Sequence, residues 1–363
     1  MHSLLALNSL PKIGPVRIRR LLECFGNADA VLAAKKDHLL RVDGIGEETA
    51  SILTKWQDFT DPTTELREAT ERGISILTVE DELFPSALRE AYDAPLLLYV
   101  WGQLEARDRH AIGIVGTRRC TMYGRTATKL ISFQLAHAGF TIVSGLARGV
   151  DTVAHEAALA ANGRTIAVLG SGLAKLFPAE NLPLAEKIAA GRGAVVSEFP
   201  LNTPPDKQTF PQRNRIVAAW SRALVVTECA RKSGSLITAN LAGDYGRPVF
   251  AVPGPIDQES SGGCNQLIRE GATLVTSGAD IIDDLGELPF ARPTSLPTFE
   301  KSTQPELPKD EAKVFAALGE GEASVDRLVD STGLPAPVVA TSLMKLEMRK
   351  LVRALPGFRY VKR

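Results

Sequence analysis

Cysteine and histidine are scarce in this sequence of 363 residues, which holds four cysteines and five histidines. The cysteines are widely separated, show no CxxC spacing and have no histidines near them in the sequence: Cys24, Cys120, Cys229 and Cys264. Because zinc sites use closely spaced Cys and His ligands, this pattern argues against a zinc site and predicts no bound metal. It fits a reduced cytosolic protein.

Long apolar runs and a net charge are missing as well. No stretch approaches the ~20 apolar residues that cross a bilayer, and the N-terminus lacks a signal-peptide pattern. We therefore expect a soluble, cytoplasmic protein without a membrane partner. Basic and acidic residues number 42 each, but the acidic excess lies in 61–110, which holds 5 basic and 11 acidic residues. The rest is mildly basic, which permits a polyanionic partner.

The length is too great for one ordinary domain and indicates two or three. A hydrophobic fraction of 44% is enough to build their cores. Changes in composition and periodicity predict four segments: a helical domain over 1–60, an α/β domain over 61–288, a linker over 289–308 and a small domain over 309–363.

One arrangement occurs six times between Ala111 and Leu285: a short apolar run ends in a loop rich in Gly, Ser, Thr and Arg, and a helical pattern follows. Fully apolar runs are typical of parallel strands covered on both faces. In a parallel sheet such loops emerge at the carboxyl edge, where helix N-termini bind anions. The predicted strands are 112–115, 141–143, 165–169, 194–197, 223–227 and 248–252, and runs at 74–77 and 96–101 would extend the sheet.

Residues 1–60 contain one short signal twice, an Ile-Gly pair that opens a helical pattern. The two copies begin at Leu10 and Val42. They resemble a tandem helix-hairpin-helix (SAM-like) module, in which glycines let backbone amides approach a phosphate. The second copy matches well, whereas the first has Lys12 where a glycine is usual. A DNA contact and a purely structural helical bundle both remain open.

The C-terminal pattern begins after a segment with five prolines, which predicts an extended linker over 289–308. Three helical patterns at 310–318, 325–332 and 335–349, with a hairpin at 351–361, then predict a winged helix. The third helix carries Lys345, Arg349 and Lys350 and would be its recognition helix. DNA reading and protein docking are both open for this domain.

Two loops of the α/β region carry candidate anion ligands. Gly116-Thr117-Arg118 combines a permissive backbone, a hydroxyl and a planar guanidinium. The run SGLARGVD at 144–151 supplies Ser144, Gly145 and Arg148. Asp151 and His155, one helical turn apart, are predicted to form a helix-surface pair, because no third metal ligand lies at suitable spacing.

The loop over 206–215 is the strongest candidate, because it places three cations and an aromatic ring before a predicted apolar helix over 216–220. Cations that follow phosphates beside a ring that stacks a base are what a single-stranded nucleic-acid site requires. The alternative is a solvated loop with its ring in the core. A further loop over 228–239 adds amides and hydroxyls. The candidates in these loops are Lys207, Phe210, Arg213, Asn214, Arg215, Gly234, Ser235 and Thr238.

Several long motifs, in order, resemble the DNA-processing protein A (DprA/Smf) family: GTR at 116–118, SGLARGVD at 144–151, FPQRNRI at 210–216, SGSL at 233–236 and GCNQLIREGA at 263–272. The resemblance covers about 74–285 continuously, and the flanking modules also occur in that family. It implies an extended Rossmann-like, doubly wound domain whose single-strand pocket uses Arg118, Lys207 and Phe210. It also implies a homodimer through the region of Ile268 and Leu274.

The resemblance further implies a non-enzymatic protein of natural transformation and recombination, which protects incoming single-stranded DNA and helps to load the RecA recombinase. No cofactor is expected. A dinucleotide oxidoreductase is disfavoured because GTR stands where GxGxxG would be required. Two alternatives remain: a phosphoribohydrolase-like enzyme with Glu228 as its acid, and a transcription regulator that acts through the winged helix.

Overall fold

The structure is a computed structural model that describes residues 1–286, 307–318, 323–349, 351–355 and 359–362. Contacts divide the chain into two units, 1–297 and 298–363. The predicted linker over 289–308 lies outside the described residues except for its last two. In the described part of the chain, no helix has the length and apolar character needed to cross a membrane.

The first unit begins with short helices whose starts match the two predicted hairpins. Gly14 and Gly46 are the N-caps of the second and fifth helices, and the turn residues before them, Lys12 and Gly44, have φ values of 63° and 82°. This left-handed backbone explains why glycine suits the position that Lys12 occupies. The helices are α1 (His2–Ser9), α2 (Pro15–Phe25), α3 (Ala28–Ala33), α4 (Lys36–Leu39) and α5 (Glu47–Thr54).

The N-terminal helices share an apolar core with the sheet that follows them. Leu5 of α1 packs in one buried cluster with Ile74, Leu97 and Tyr99, and Leu96 belongs to the cluster of the helices themselves. The helical segment and the sheet are therefore joined by continuous apolar packing.

A long alternation of strands and helices forms the rest of this unit. Its elements are α6 (Pro62–Glu71), β1 (Ile74–Thr78), α7 (Ser86–Arg89), β2 (Leu97–Gly102), β3 (Ala111–Val115), α8 (Met122–His137), β4 (Thr141–Ser144), α9 (Val150–Ala160), β5 (Thr165–Val168), α10 (Leu182–Ala189), β6 (Gly193–Ser197), α11 (Thr209–Trp220), β7 (Ala223–Val226), α12 (Gly234–Asp244), β8 (Val249–Ala251), α13 (Gly262–Arg269), β9 (Thr273–Leu274) and α14 (Gly278–Leu285).

Within residues 1–286 nine strands form one sheet in the order β1-β2-β6-β5-β4-β3-β7-β8-β9. All neighbours from β6 to β9 are parallel, whereas β2 is antiparallel to both β1 and β6. The order reverses between β3 and β7, which is the point at which such sheets bind ligands. The doubly wound α/β fold is confirmed, and the two early strands do extend the sheet.

Helices cover both faces of the sheet, as the fully apolar strands predict. Neighbouring residues of β3 belong to different buried clusters, Ile112 and Ile114 to one and Ala111 and Val115 to the other. The strands are buried on both sides, so the polar loops at their carboxyl ends are where a ligand can approach.

The second unit is a winged helix, as predicted. Its described elements are α15 (Lys309–Ala317), β10 (Ala323–Ser324), α16 (Val325–Thr332), α17 (Ala336–Met348), β11 (Val352–Leu355) and β12 (Arg359–Lys362), with the sheet order β10-β12-β11. Lys345 of α17 and Arg349, the residue just after this helix, lie 3.8 and 3.3 Å from the buried carboxylate of Glu311. Both cations therefore compensate an internal charge, and Lys350 lies outside the described residues.

Candidate nucleic-acid interface

A pocket of about 540 Å³ opens at the carboxyl ends of β3 and β7, where the strand order reverses. It is lined by the loops after these strands and by the first turns of α11 and α12. The predicted residues that it brings together are Gly116, Thr117, Arg118, Lys207, Phe210, Arg213, Asn214, Gly234, Ser235 and Thr238.

The Gly116-Thr117-Arg118 loop approaches its neighbours too closely for a side chain at its first position. A Cβ atom on Gly116 would lie 2.6 Å from Val150 Cγ2 and 2.8 Å from the carbonyl oxygen of Glu228. The amide of Thr117 donates to that same carbonyl at 2.7 Å. The backbone is thereby fixed, and the exposed guanidinium of Arg118 lies over the ring of Phe210, 5.2 Å from its centre.

Glu228, which a nucleotide hydrolase would need as its acid, is engaged at the start of α8. Its carboxylate accepts hydrogen bonds from the amide of Thr121 at 2.8 Å and from the hydroxyl of Thr121 at 2.7 Å. It is 2% exposed, and a Cβ atom on Gly124 would collide with it. Both carboxylate oxygens are therefore bonded to the N-terminus of the helix, and neither is free to act on a substrate.

The loop between β4 and α9 contributes Ala147 to the lining and is held by hydrogen bonds of its neighbouring residues. The hydroxyl of Ser144 donates to the carbonyl of Ile114 at 2.6 Å, and the amides of Gly145 and Ala147 donate to Asp151 Oδ2 at 3.1 and 3.3 Å. Arg148 is exposed and forms an ion pair with Glu180, with Nη2 3.1 Å from Oε2. The described residues that line the pocket do not include Ser144, Gly145 or Arg148. The structure therefore does not bring these three predicted anion ligands into the pocket.

Helix α11 starts earlier than predicted, at Thr209, and includes most of the segment that was expected to be a loop. Pro211 is tolerated because it lies in the first turn, where an amide has no helical partner. The helix turns Phe210 and Asn214 toward the pocket. Lys207, just before the helix, is exposed at the pocket rim.

Arg213 is a buried residue of the pocket lining, and its guanidinium is hydrogen-bonded within the protein. Its Nη1 donates to the carbonyl oxygens of Gly145 and Val168. Burial lowers the pKa of Arg213, and the nearby carboxylate of Asp151 opposes that shift. Burial likewise raises the pKa of Asp151, with Arg213 opposing the shift. Both groups are buried beneath the loop, and each favours the charged form of the other.

Arg215 does not reach the pocket, contrary to the prediction. It lies on the opposite side of α11, where it pairs with Glu198 and donates to the carbonyl oxygen of Asp93 at 2.7 Å. It is 8% exposed. Helical periodicity explains the difference, because two residues after Arg213 a side chain points to another face of the helix.

The start of α12 provides further anion ligands. Ser233 is its N-cap and accepts from the amide of Ser235 at 3.3 Å, and neither α11 nor α12 has an acidic residue in its first turn. Such helix starts attract anions. Lys232 also lines the pocket and was missed by the sequence reasoning, although it directly precedes the Ser-Gly-Ser run.

Taken together, the described lining holds three exposed cations, Arg118, Lys207 and Lys232, and one half-buried ring, Phe210. The carboxylate in the lining, that of Asp151, is buried and opposed by Arg213. Within the described ranges, no group of three or more His, Cys, Asp or Glu side chains could hold a metal ion. The exposed part of the lining thus combines positive charge with an aromatic surface.

The two residues expected at a dimer interface differ in their exposure. Leu274 lies on β9, the edge strand of the sheet, and is 50% exposed. Ile268 is half-buried and packs against the core. Leu274 is therefore the residue that can contact a partner without disturbing the fold.

A Rossmann-like sheet with a cationic, aromatic pocket at its reversal point defines a class of anion-binding α/β proteins. Comparison with known families is more specific. The model of the DNA recombination-mediator protein A family matches residues 75–286, that of the DprA winged helix domain matches 300–357, and that of a SAM-like helix-hairpin-helix tandem matches 4–54. The chain belongs to this DprA/Smf family of DNA-processing proteins.

Relatives of known sequence and structure agree with this assignment. Protein Smf of Synechocystis sp. is 35% identical over 99% of this chain and 98% of its own length. DNA processing protein A of Streptococcus pneumoniae has 34% identity and a TM-score of 0.68 over 80% of this chain and 99% of its own. The structure of DNA processing protein A from Helicobacter pylori is described for its single-stranded DNA binding mode. It has 34% identity and a TM-score of 0.53, and the match covers 58% of this chain and 95% of that one.

The buried position of Arg213 predicts a large loss of stability when its charge is removed. Arg213→Met leaves Asp151 buried without its counter-charge and two carbonyls without a donor, so we expect the free energy of unfolding to fall by about 3–5 kcal/mol. Urea unfolding measures it. Lys207→Ala, at an exposed position, should change the value by less than about 0.5 kcal/mol. Full stability in Arg213→Met, or no partial rescue by adding Asp151→Asn, would contradict this account.

His155 predicts a pH dependence of stability. It is fully buried on α9 rather than on the helix surface as expected, its Nδ1 lies 2.7 Å from Thr165 Oγ1, and burial lowers its pKa from 6.5 to about 3. The unfolded chain therefore binds the proton more readily, so this contribution to stability is complete above pH 6.5 and is lost as the pH falls toward 3.

Between pH 6.5 and pH 5, the unfolding free energy of the unmodified protein should fall more steeply than that of His155→Gln, by about 1 kcal/mol per pH unit. Urea titrations across that range provide the measurement. Parallel curves for the two proteins would show that His155 is protonated alike in both states.

Proposed function

We propose that this protein binds single-stranded DNA in the pocket between β3, β7, α11 and α12. The observation that carries the proposal is a lining that holds the ring of Phe210, with Arg118 over it, and two further exposed cations, Lys207 and Lys232. Phosphates are attracted by the cations and the free amides, and a base can stack on the ring. The single-stranded DNA binding mode described for the Helicobacter pylori relative supports the same ligand.

A single strand fits this arrangement better than a duplex. The ring lies within a pocket rather than on a protruding helix, and it can be reached by a base that is unpaired and free to turn out of the strand. Because the lining offers phosphate ligands and stacking rather than a set of base-edge contacts, we expect little sequence preference.

The cellular role follows from the family. We propose that the protein acts in natural transformation and DNA recombination in the cytoplasm, where it protects incoming single strands and helps to load RecA on them. The family description as a recombination mediator supports this role. We also propose that it is not an enzyme, because the carboxylate that a hydrolase would use, Glu228, is bound at the start of α8.

The cations predict a steep salt dependence of binding. Each phosphate contact on a single strand contributes about −0.7 to the slope of log K against log salt, so three exposed cations predict a slope of about −2. Arg118→Ala should reduce the slope by about 0.7. Fluorescence anisotropy with labelled oligothymidylate and the full chain measures both values.

Phe210→Ala is the matched control for the electrostatic contribution. It should weaken binding by about 1–3 kcal/mol, because a stacked base is lost, and should leave the slope nearly unchanged. Binding that does not respond to salt, or equal preference for duplex DNA, would be incompatible with the proposed pocket.

We further propose a homodimer through the edge strand β9, and the exposure of Leu274 provides a test. In a two-fold interface, each charge introduced at Leu274 occurs twice and is desolvated without a counter-ion. Leu274→Glu should therefore give a folded monomer in sedimentation. Leu83→Glu, at a leucine with a similar exposure of 48% away from β9, should remain dimeric. A dimer in Leu274→Glu, or a monomer in the unmodified protein, would reject the interface.

A further inference from the structure

A second aromatic ring lies beside the pocket and has no part in the function proposed so far. Phe177 is 42% exposed, and its ring centre lies 5.9 Å from that of Phe210, with the two planes inclined by 50°. Rings at this distance and inclination are in direct contact, so no base fits between them. Each ring can offer only a surface that faces away from the other.

Part of the Phe210 ring is already in contact with the protein. The guanidinium of Arg118 lies over its ring at 5.2 Å. On another side, the backbone of Gly170 is so close that a Cβ atom there would lie 2.8 Å from Phe210 Cδ1. Phe210 is half-buried in this surrounding, whereas Phe177 is the more exposed ring.

The loop that carries Phe177 is held in place by its backbone and by a buried side chain. The amides of Gly172 and Ala174 donate to the carbonyl oxygens of Thr203 and Leu201 at 2.9 and 3.0 Å. Asn181 Nδ2, at the other end of the loop, donates to the carbonyl oxygen of Leu146 at 2.8 Å. The exposed ring is therefore presented by a fixed loop, so little ordering is needed when a ligand stacks on it.

The charges around Phe177 favour a nucleotide over an apolar partner. Exposed Lys175 lies two residues before it on the same loop. The ring of Phe210, which Phe177 contacts, is covered by the cation of Arg118. An exposed ring in contact with a ring that a cation covers suits a base attached to phosphates.

We propose that Phe177 stacks the base of a second nucleotide, adjacent to the one at Phe210, so that the bound strand extends over the 171–181 loop. This inference rests on the proposed single-strand function and defines where the strand leaves the pocket. Consecutive bases would stack on the two rings in turn, and Lys175 would contact the phosphate of the second nucleotide.

The test measures binding of the full chain to long oligothymidylate by fluorescence anisotropy. Phe177→Ala should weaken binding by about five- to a hundredfold, and the salt slope should stay unchanged because no cation is lost. Phe177→Leu keeps an apolar side chain without an aromatic face and should weaken binding to a similar extent. Phe177→Trp should retain affinity, and its indole fluorescence should be quenched when the strand binds.

Phe59→Ala is the matched control, since Phe59 is exposed to a similar extent, 49%, and does not line the pocket. It should bind as the unmodified protein does. Wild-type affinity in both Phe177→Ala and Phe177→Leu, or retention of affinity by Phe177→Leu alone, would overturn the stacking role while leaving the proposed function intact. Absence of single-strand binding by the unmodified protein would instead overturn both. Circular dichroism of each variant identifies loss of folding, in which case Phe177→Trp decides through its quenching.

Discussion

The hydrogen bonds of the buried Arg213 guanidinium are the interaction on which the site depends. This group joins α11 to the carbonyl oxygens of Gly145 and Val168, at the ends of two neighbouring strands, and it opposes the charge of Asp151. Asp151 in turn accepts the amides of Gly145 and Ala147. One cation therefore sets the distance between the helix and the sheet edge. Because Phe210 and Asn214 lie within one turn of it, their positions in the pocket follow from this contact.

The arginines and lysines of the site divide into two groups by burial. Arg213 and Arg215 are each less than 10% exposed and bind internal oxygens, whereas Arg118, Lys207 and Lys232 are exposed and face the pocket. A buried charge must be compensated within the protein and so fixes geometry, while an exposed charge keeps its attraction for a ligand. Loss of the first group should unfold the site, and loss of the second should weaken binding alone.

Close backbone contacts explain why the pocket has its shape without a ligand. Glu228 links the loop after β7 to the start of α8 through Thr121, and Gly116 and Gly124 leave the space that this link occupies. The same loop supports the amide of Thr117. The ring contact between Phe177 and Phe210 then connects this preformed pocket to the 171–181 loop. Preorganised ligands of this kind bind an anion without further ordering of the chain.

The sequence by itself determined the elements and the edge at which the site lies. Apolar runs that end in Gly-rich loops predict a parallel sheet with its ligands at the carboxyl edge, because periodicity and turn chemistry are local properties. Only the tertiary structure decided which side chains of the segment 206–215 face the pocket, since that depends on where α11 begins and how it is rotated against the sheet. It turned Arg215 toward Glu198, placed Ser144, Gly145 and Arg148 outside the lining and brought in Lys232. Long-range contacts such as these join residues far apart in the chain, and no local pattern contains them.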